Sequence, residues 1–353
     1  MKTISVNASR AYKVEVGSGL LCTVGERLSA LLPAARRVML VSDDTVSALY
    51  GETVKRALSK AGYLVECFIF PHGEESKSTA TLVALWNAMA KAGLTRTDCA
   101  VALGGGVVGD LTGFAAATFL RGIACYQIPT TLLAMVDSSV GGKTAVDLSA
   151  GKNLCGAFSQ PVGVLCDTDV LKTLPDDICA DGCAEVIKYG YLGDADLLHM
   201  LENDFKNDPL DVIARCIADK RDVVEVDEQD NGKRQLLNLG HTGGHAVEKL
   251  SRFSISHGSA VAIGMLLAAR AAVAIGVCTP DVPTHMETML KKYRLPTECP
   301  YPAAALAEAA LSDKKRRGGT ITLVLPKRLG ESVLYPVPAE ELTALFLAGG
   351  APK

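Results

Sequence analysis

The chain has 353 residues, 48% hydrophobic and 21% charged, with a formal net charge of −3. That length fits about two domains with ample buried core, which excludes a peptide module or a disordered tail. The near-balance of charge excludes a nucleic-acid surface spread over the whole protein but leaves room for a local basic pocket.

Residues Met1 to Val16 lack the apolar stretch of a secretory signal, and the alternation of Tyr12, Val14 and Val16 predicts a strand. The 11 cysteines form no C-x-x-C pair, so neither a disulfide framework nor a thiolate zinc knuckle is expected, and a reducing cytoplasm is. From there short β-branched runs alternate with helical stretches. Strands are predicted at Arg37–Ser42, Tyr63–Phe70, Cys99–Leu103, Gly122–Ile128 and Val162–Cys166, with helices at Thr45–Ala61 and Ser78–Ala92. That alternation builds a mainly parallel sheet covered by helices. After about Leu174 the texture becomes Ala-rich and amphipathic, as in Ala180–Leu192, Asp211–Glu225, Thr242–Leu250, Ser259–Ile275 and Val282–Tyr293. A late hairpin (Thr320–Leu325 with Ser332–Tyr335) and a helix from Ala339 close the chain. The fold class expected is an α/β Rossmann-like N-terminal domain, residues 1–175, plus a mainly α-helical C-terminal domain, residues 176–353. The apolar run Ala260–Val277 carries Arg270 at mid-depth and is expected to be a buried helix, with no membrane as partner.

Three constellations carry chemistry. Gly104-Gly-Gly106-Val-Val-Gly109 lies between a predicted strand and helix, where backbone N–H groups and the helix dipole can hold a pyrophosphate. The acid that usually follows about 20 positions later is missing, but Asp43 ends another predicted strand and can supply it. Ser139-Val-Gly-Gly-Lys-Thr144 is not a P-loop, because Asp137 stands where its first glycine belongs. Lys143 and Lys152 are nevertheless predicted in loops after strands, where they suit a phosphorylated ligand. His241 and His245 share a helix face, His257 follows, and Glu185 with Lys188 offers a carboxylate and a cation. Either a catalytic metal with an open position or plain histidine packing satisfies that spacing. A zincin protease is excluded, since His241-Thr-Gly-Gly-His245 lacks its glutamate.

Taken in order, these segments resemble the 3-dehydroquinate synthase family of sugar phosphate cyclases along almost the whole chain. The matching stretches are His72–Lys77, Leu103–Phe114, Arg121-Gly122, Ile128–Asp147, Gly151–Asn153, Ala184–Gly190, Leu236–Glu248, His257–Met265 and Asp313–Lys315. The resemblance implies bound NAD, a divalent metal (zinc or cobalt), a phosphorylated sugar acid as substrate and a homodimer. It implies Glu185, His241 and His257 as metal ligands, and His245 in proton transfer rather than as a ligand. NAD contacts carry over onto Asp43, His72, Gly73, Glu74, Glu75, Ser76, Lys77, Gly106, Val107, Val108, Gly109 and Asp110. They continue onto Thr130, Thr131, Lys143, Lys152, Asn153, Val170, Leu171, Lys172 and Thr173. Catalytic and substrate contacts carry over onto Arg121, Asp137, Lys152, Asn153, Lys188, Lys220, Arg234, Asn238 and Lys315.

Three positions depart from the family. Ser259 stands where glutamate is usual, removing an outer partner expected for the metal-binding histidine. Asp230 shortens a glutamate proton acceptor by one methylene, and Thr45 replaces a frequent asparagine near NAD. The activity implied is conversion of 3-deoxy-D-arabino-heptulosonate 7-phosphate to 3-dehydroquinate and phosphate. Competing readings are a related cyclase such as 2-deoxy-scyllo-inosose synthase, a metal-dependent polyol dehydrogenase, and a non-catalytic nucleotide-binding protein.

Overall fold

The computed structural model describes residues 1–203, 209–311 and 319–353. The chain forms two compact units, Met1–Leu174 with Pro209–Gln229, and Pro175–Asp208 with Asp230–Lys353.

The first unit opens with β1 (Lys2–Asn7) and β2 (Ala11–Gly17), an antiparallel hairpin where the sequence predicts one strand. Then come α1 (Val24–Leu31), β3 (Arg37–Asp43), α2 (Asp44–Val46), a π-turn over Ser47–Gly51, α3 (Glu52–Lys60) and β4 (Leu64–Phe70). Next are α4 (Thr79–Lys91), capped by the Ser78 side chain accepting from Thr81 N–H, β5 (Cys99–Gly104), α5 (Gly106–Thr118) and β6 (Ala124–Pro129). The hairpin β7 (Lys143–Leu148) and β8 (Gly151–Phe158) precedes β9 (Gly163–Asp167) and a 3-10 turn over Thr168–Thr173.

The main sheet has the order β1-β2-β9-β6-β5-β3-β4, parallel throughout except for the edge strand β1. All of β5 is buried, as a strand covered on both faces must be, and α5 packs Leu111, Phe114 and Ala115 into the core with Met39, Val41 and Leu85. From β3 the chain steps outward to β4, then returns to β5 on the other side of β3. The strand order therefore reverses between β3 and β5, and their carboxyl ends, Asp43 and Gly104, open the crevice where such sheets bind ligands.

Lys143 and Lys152 lie on the hairpin β7–β8, not in loops. Glycines and polar residues in Gly151–Asn153 mask that strand, whose Cys155 and Ala157 pack against the core without a β-branched run to mark them.

The chain continues through α6 (Asp176–Leu192) and α7 (Ala195–Glu202) of the second unit, returns to the first as α8 (Pro209–Val226), then builds α9 (His241–Leu250) and α10 (His257–Ala274). α11 (Asp281–Lys292), α12 (Ala303–Leu311), the hairpin β10 (Thr320–Arg328) and β11 (Glu331–Pro338), and α13 (Leu342–Ala348) complete the second unit. The expectation of an uninterrupted helical domain over 176–353 differs from this at α8. Its apolar stripe announces a buried face but not what covers it. α8 packs on β1, and the Asn7 and Ser9 N–H groups donate to Glu225 and Glu228 at 2.6 and 2.8 Å.

α10 is long and apolar enough for a membrane span by composition, yet 67% of it is buried. It meets α6 and α9 at glycines. A Cβ on Gly258 would lie 2.0 Å from the Asp181 carbonyl oxygen, and one on Gly264 would lie 2.0 Å from that of Gly240. Glycine is therefore required at both contacts, and the backbones that carry the clustered histidines approach closely for that reason.

Candidate active site

In the second unit, α6, α9 and α10 bring Glu185, His241 and His257 together, with one donor atom from each within 4.8 Å of the others. Glu185 is fully buried at mid-helix, whereas each histidine is the first residue of its own helix. His241 Nε2 and His257 Nε2 lie 3.7 and 3.4 Å from the same Glu185 oxygen. The His241 ring sits 5.4 Å from that of His245 and 5.3 Å from that of His257, centroid to centroid. Lys188, one turn after Glu185 and 1% exposed, pairs with it.

Two imidazoles and a carboxylate form the donor set of a tetrahedral divalent ion with one position left for substrate. Burial opposes a charge on His257, yet hydrogen bonds and charge from Glu185 and Glu248 outweigh it and raise its pKa to about 10, so a metal ion must displace a proton from this ring. The donor set fits the metal implied by the sequence.

Two residues without an assigned role support this cluster. Asp181, one turn before Glu185, accepts from Ser259 N–H at 2.9 Å and from the Ser256 hydroxyl, capping the start of α10. Glu248 Oε2 lies 3.4 Å from His257 Nδ1. The spacing His241, His245, Glu248 along one helix face was the available signal for the latter; Asp181 carries no such signal, because its partner lies 78 residues away.

Arg234 is 1% exposed on a 3-10 turn over Lys233–Asn238, where Asn238 Nδ2 donates to the Gln235 carbonyl at 3.0 Å. Asp230 precedes it at φ +58°. Lys315 lies outside the described residues.

In the first unit a second polar cluster gathers beside the β3/β5 crevice. Lys77, 5% exposed, donates to Asp110 on α5 and Asn153 on β8, both at 2.6 Å. Burial opposes the charge on Lys77, but Asp110 and Glu74 hold its pKa up; burial pushes the Asp110 carboxyl up against the pull of Lys77. Asn153, at φ +53°, donates its N–H to Asp147, and Lys152 lies 3.5 Å from Glu74. His72 donates to Asp44 from its backbone N–H, and its Nδ1 lies 2.9 Å from the same oxygen. His72, Gly73 and Glu75 are exposed in the loop after β4, with Ser76 half-buried.

Asp43 is the N-cap of α2, accepting from Val46 N–H at 2.8 Å. Gly106, Val107, Val108 and Gly109 form the first turn of α5, where a Cβ on Gly109 would meet Gln127 at 2.7 Å. Thr130 donates its N–H to the Gly104 carbonyl, while its buried hydroxyl has no partner among the described residues. An orphaned hydroxyl at a glycine-lined helix N-terminus fits a bound dinucleotide. Thr131 follows it, Val170, Leu171, Lys172 and Thr173 lie on the turn after β9, and Lys143 is exposed at the start of β7.

Lys220 on α8, 5% exposed, donates to the Asp137 carbonyl and carboxylate at 2.5 and 2.8 Å. Arg121 is not brought to these groups. It is exposed at φ +68° beyond the far end of α5, a 13-residue helix and hence about 20 Å from the glycine turn. The residue between the glycine motif and β6 must sit there, because α5 runs the length of the sheet before the next parallel strand begins.

Family models described as 3-dehydroquinate synthase N-terminal and 3-dehydroquinate synthase C-terminal match residues 67–181 and 182–316. The chain belongs to the 3-dehydroquinate synthase family. A curated 3-dehydroquinate synthase from Pelobacter propionicus is 44% identical over 98% of this chain and 99% of its own. The 2-epi-5-epi-valiolone synthase of Streptomyces hygroscopicus, solved with NAD+ and Zn2+ bound, has a TM-score of 0.88 at 27% identity and covers 98% of both chains. A 2-deoxy-scyllo-inosose synthase complexed with carbaglucose-6-phosphate, NAD+ and Co2+ has a TM-score of 0.87 at 26% identity, covering 98% of this chain and 99% of that one.

Proposed function

We propose that this member of the 3-dehydroquinate synthase family converts 3-deoxy-D-arabino-heptulosonate 7-phosphate to 3-dehydroquinate and phosphate, the second step of the shikimate pathway to aromatic amino acids. The first unit, Met1–Leu174 with Pro209–Gln229, would be its NAD-binding domain and the second, Pro175–Asp208 with Asp230–Lys353, its metal-binding domain. When bound, NAD supplies a reversible oxidation that acidifies the neighbouring C–H, and zinc or cobalt supplies Lewis acidity toward substrate hydroxyls.

The chain's own residues do the rest. Glu185, His241 and His257 hold the ion, and Lys188 stays tethered beside it. The glycine turn of α5, Asp43, Thr130 and the Lys77–Asp110–Asn153 cluster hold the dinucleotide. Lys188, Lys220 and Arg234 are cations at 1%, 5% and 1% exposure. Glu185 and Asp137 hold the Lys188 and Lys220 ammonium groups in place, and a substrate with a carboxylate and a phosphate would add its charge to cations so positioned; the planar fork of Arg234 suits either anion. Fixing both anions orients the sugar for elimination. We assign His245 and Asp230 to proton transfer, and Lys152, Asn153, Asp137, Asn238 and, from the family resemblance alone, Lys315 to substrate contacts; Arg121, exposed beyond the far end of α5, is assigned none within its own chain. The enzyme acts as a cytoplasmic homodimer.

The observation that carries this reading is the convergence of Glu185, His241 and His257 in a chain of this family. Purified enzyme given the heptulosonate phosphate and NAD should release phosphate without a rise in absorbance from NADH. Steady NADH accumulation would instead mark a dehydrogenase of similar fold, and phosphate release from a hexose 6-phosphate alone would mark a different cyclase.

A further inference from the structure

The geometry points to Glu248 as the residue that fixes which nitrogen His257 offers to the metal, an inference that rests on the metal reading above. A neutral imidazole carries one proton and one lone pair, so a ring that ligates through one nitrogen needs an acceptor for the proton on the other. His241 meets this requirement with the backbone. Its Nδ1 lies 3.1 Å from the Leu239 carbonyl, and its Nε2 faces Glu185. His257 has its Nε2 turned to the same Glu185 oxygen, and its Nδ1 lies 3.4 Å from Glu248 Oε2. The two rings thus present the same atom to one carboxylate, and Glu248 does for His257 what a carbonyl does for His241.

His257 has need of such a partner. It is the first residue of α10, with its side chain 31% exposed, so helix packing alone does not lock its ring. Glu248 is 4% exposed near the end of α9, and its position is set by the turn that follows. There Arg252 and Phe253 take φ of +53° and +63°, and the Phe253 N–H donates to the Glu248 carbonyl at 2.8 Å. That left-handed turn folds the chain back so that His257, nine residues on, returns over Glu248. Ser259 caps the helix instead, its N–H donating to Asp181 at 2.9 Å.

His245, Glu248 and His257 also lie within 4.8 Å of one another by one donor atom each. Two ions, one in each cluster, would require His257 to give up both ring protons. Glu248 as an acceptor requires one ion per chain.

The test is zinc titration against a chromogenic chelator for the wild type and Glu248→Ala, Glu248→Leu and Glu248→Gln, with the melting temperature of each metal-free protein measured alongside. The wild type should bind one zinc per chain. Loss of the acceptor in the Ala and Leu variants should weaken binding about 10- to 100-fold. Leu fills the space of Glu248, so a packing role predicts wild-type affinity there. Gln keeps an oxygen that accepts the Nδ1 proton and should stay within a few-fold of wild type. Wild-type affinity in the Leu variant, a Gln variant no better than Ala, or two zinc ions per wild-type chain would overturn the inference. A wild type that binds no zinc would overturn the metal reading itself, and this inference with it.

Discussion

Substituting Gly264 by alanine separates the geometry of the metal cluster from the stability of the unit around it. The new Cβ would lie 2.0 Å from the Gly240 carbonyl oxygen and 2.7 Å from the Gly244 nitrogen, where real Cβ atoms essentially never come under 3.0 Å. Both neighbours are backbone, so no side chain can swing aside and α10 must part from α9 by about 1 Å. Overpacking of this kind costs roughly 1–3 kcal/mol. His241 follows Gly240 directly, and His257 begins the helix that carries Gly264. Metal sites tolerate ligand displacements of about 0.2 Å, so a shift several times larger should lower zinc affinity on the order of 100-fold. Gly276→Ala is the control. Gly276 has φ +74° with nothing within 4 Å of a built Cβ, so alanine there should cost about 1 kcal/mol in backbone strain and leave zinc binding unchanged. Thermal melts and chelator competition on the two variants measure both quantities. If Gly264→Ala kept wild-type zinc affinity, the close helix contact would not be what aligns the histidines.

Other expectations follow from the first unit. Lys152→Ala should lower turnover at least 100-fold in a phosphate-release assay while shifting stability by under about 1 kcal/mol, since its pairing with Glu74 is partly solvated. Lys77→Met leaves Asp110 buried without its cation and should weaken NAD at least tenfold by calorimetry, with a loss of about 3–5 kcal/mol in unfolding. Asp98, 2% exposed, accepts from the N–H groups of Arg36, Arg37 and Thr95; burial pushes its carboxyl up, but these bonds hold its pKa below the ordinary 3.8. A lowered carboxyl stabilises the fold above its unfolded pKa and loses that stabilisation as pH falls through the folded value. Asp98→Ala should therefore cost about 2–4 kcal/mol at neutral pH, and the gap in urea midpoint from wild type should narrow below about pH 3.8.

Much of the architecture is legible in the sequence where one face or both faces of an element are apolar. β5 reads as a continuous apolar run because helices cover both its sides, and the Ser78 cap of α4 shows in its side-chain chemistry. The β7–β8 hairpin and the strand β1 show poorly, because few positions in each carry the signal: Val146, Cys155 and Ala157 face the core in the one, and Ile4 and Val6 alone alternate with exposed residues in the other. α1, α7 and α12, at eight, eight and nine residues, span little more than two turns each, which leaves their helical period weakly marked. For the site, helix spacing groups His241 with His245 but cannot tell which of them faces Glu185. That depends on how α9 crosses α6 and α10, which the glycine contacts decide. Asp181 and Glu248 escape for the same reason, since a supporting carboxylate is defined by its partner rather than by its own surroundings in the chain.

The central claim is that a divalent ion is held by Glu185, His241 and His257. X-ray absorption at the zinc edge of the loaded protein tests it directly. Two imidazoles and light oxygen donors, with no sulfur despite 11 cysteines, are expected, together with loss of the bound zinc in the Glu185→Gln, His257→Ala double variant. A sulfur shell, or full zinc occupancy in that variant, would contradict the account.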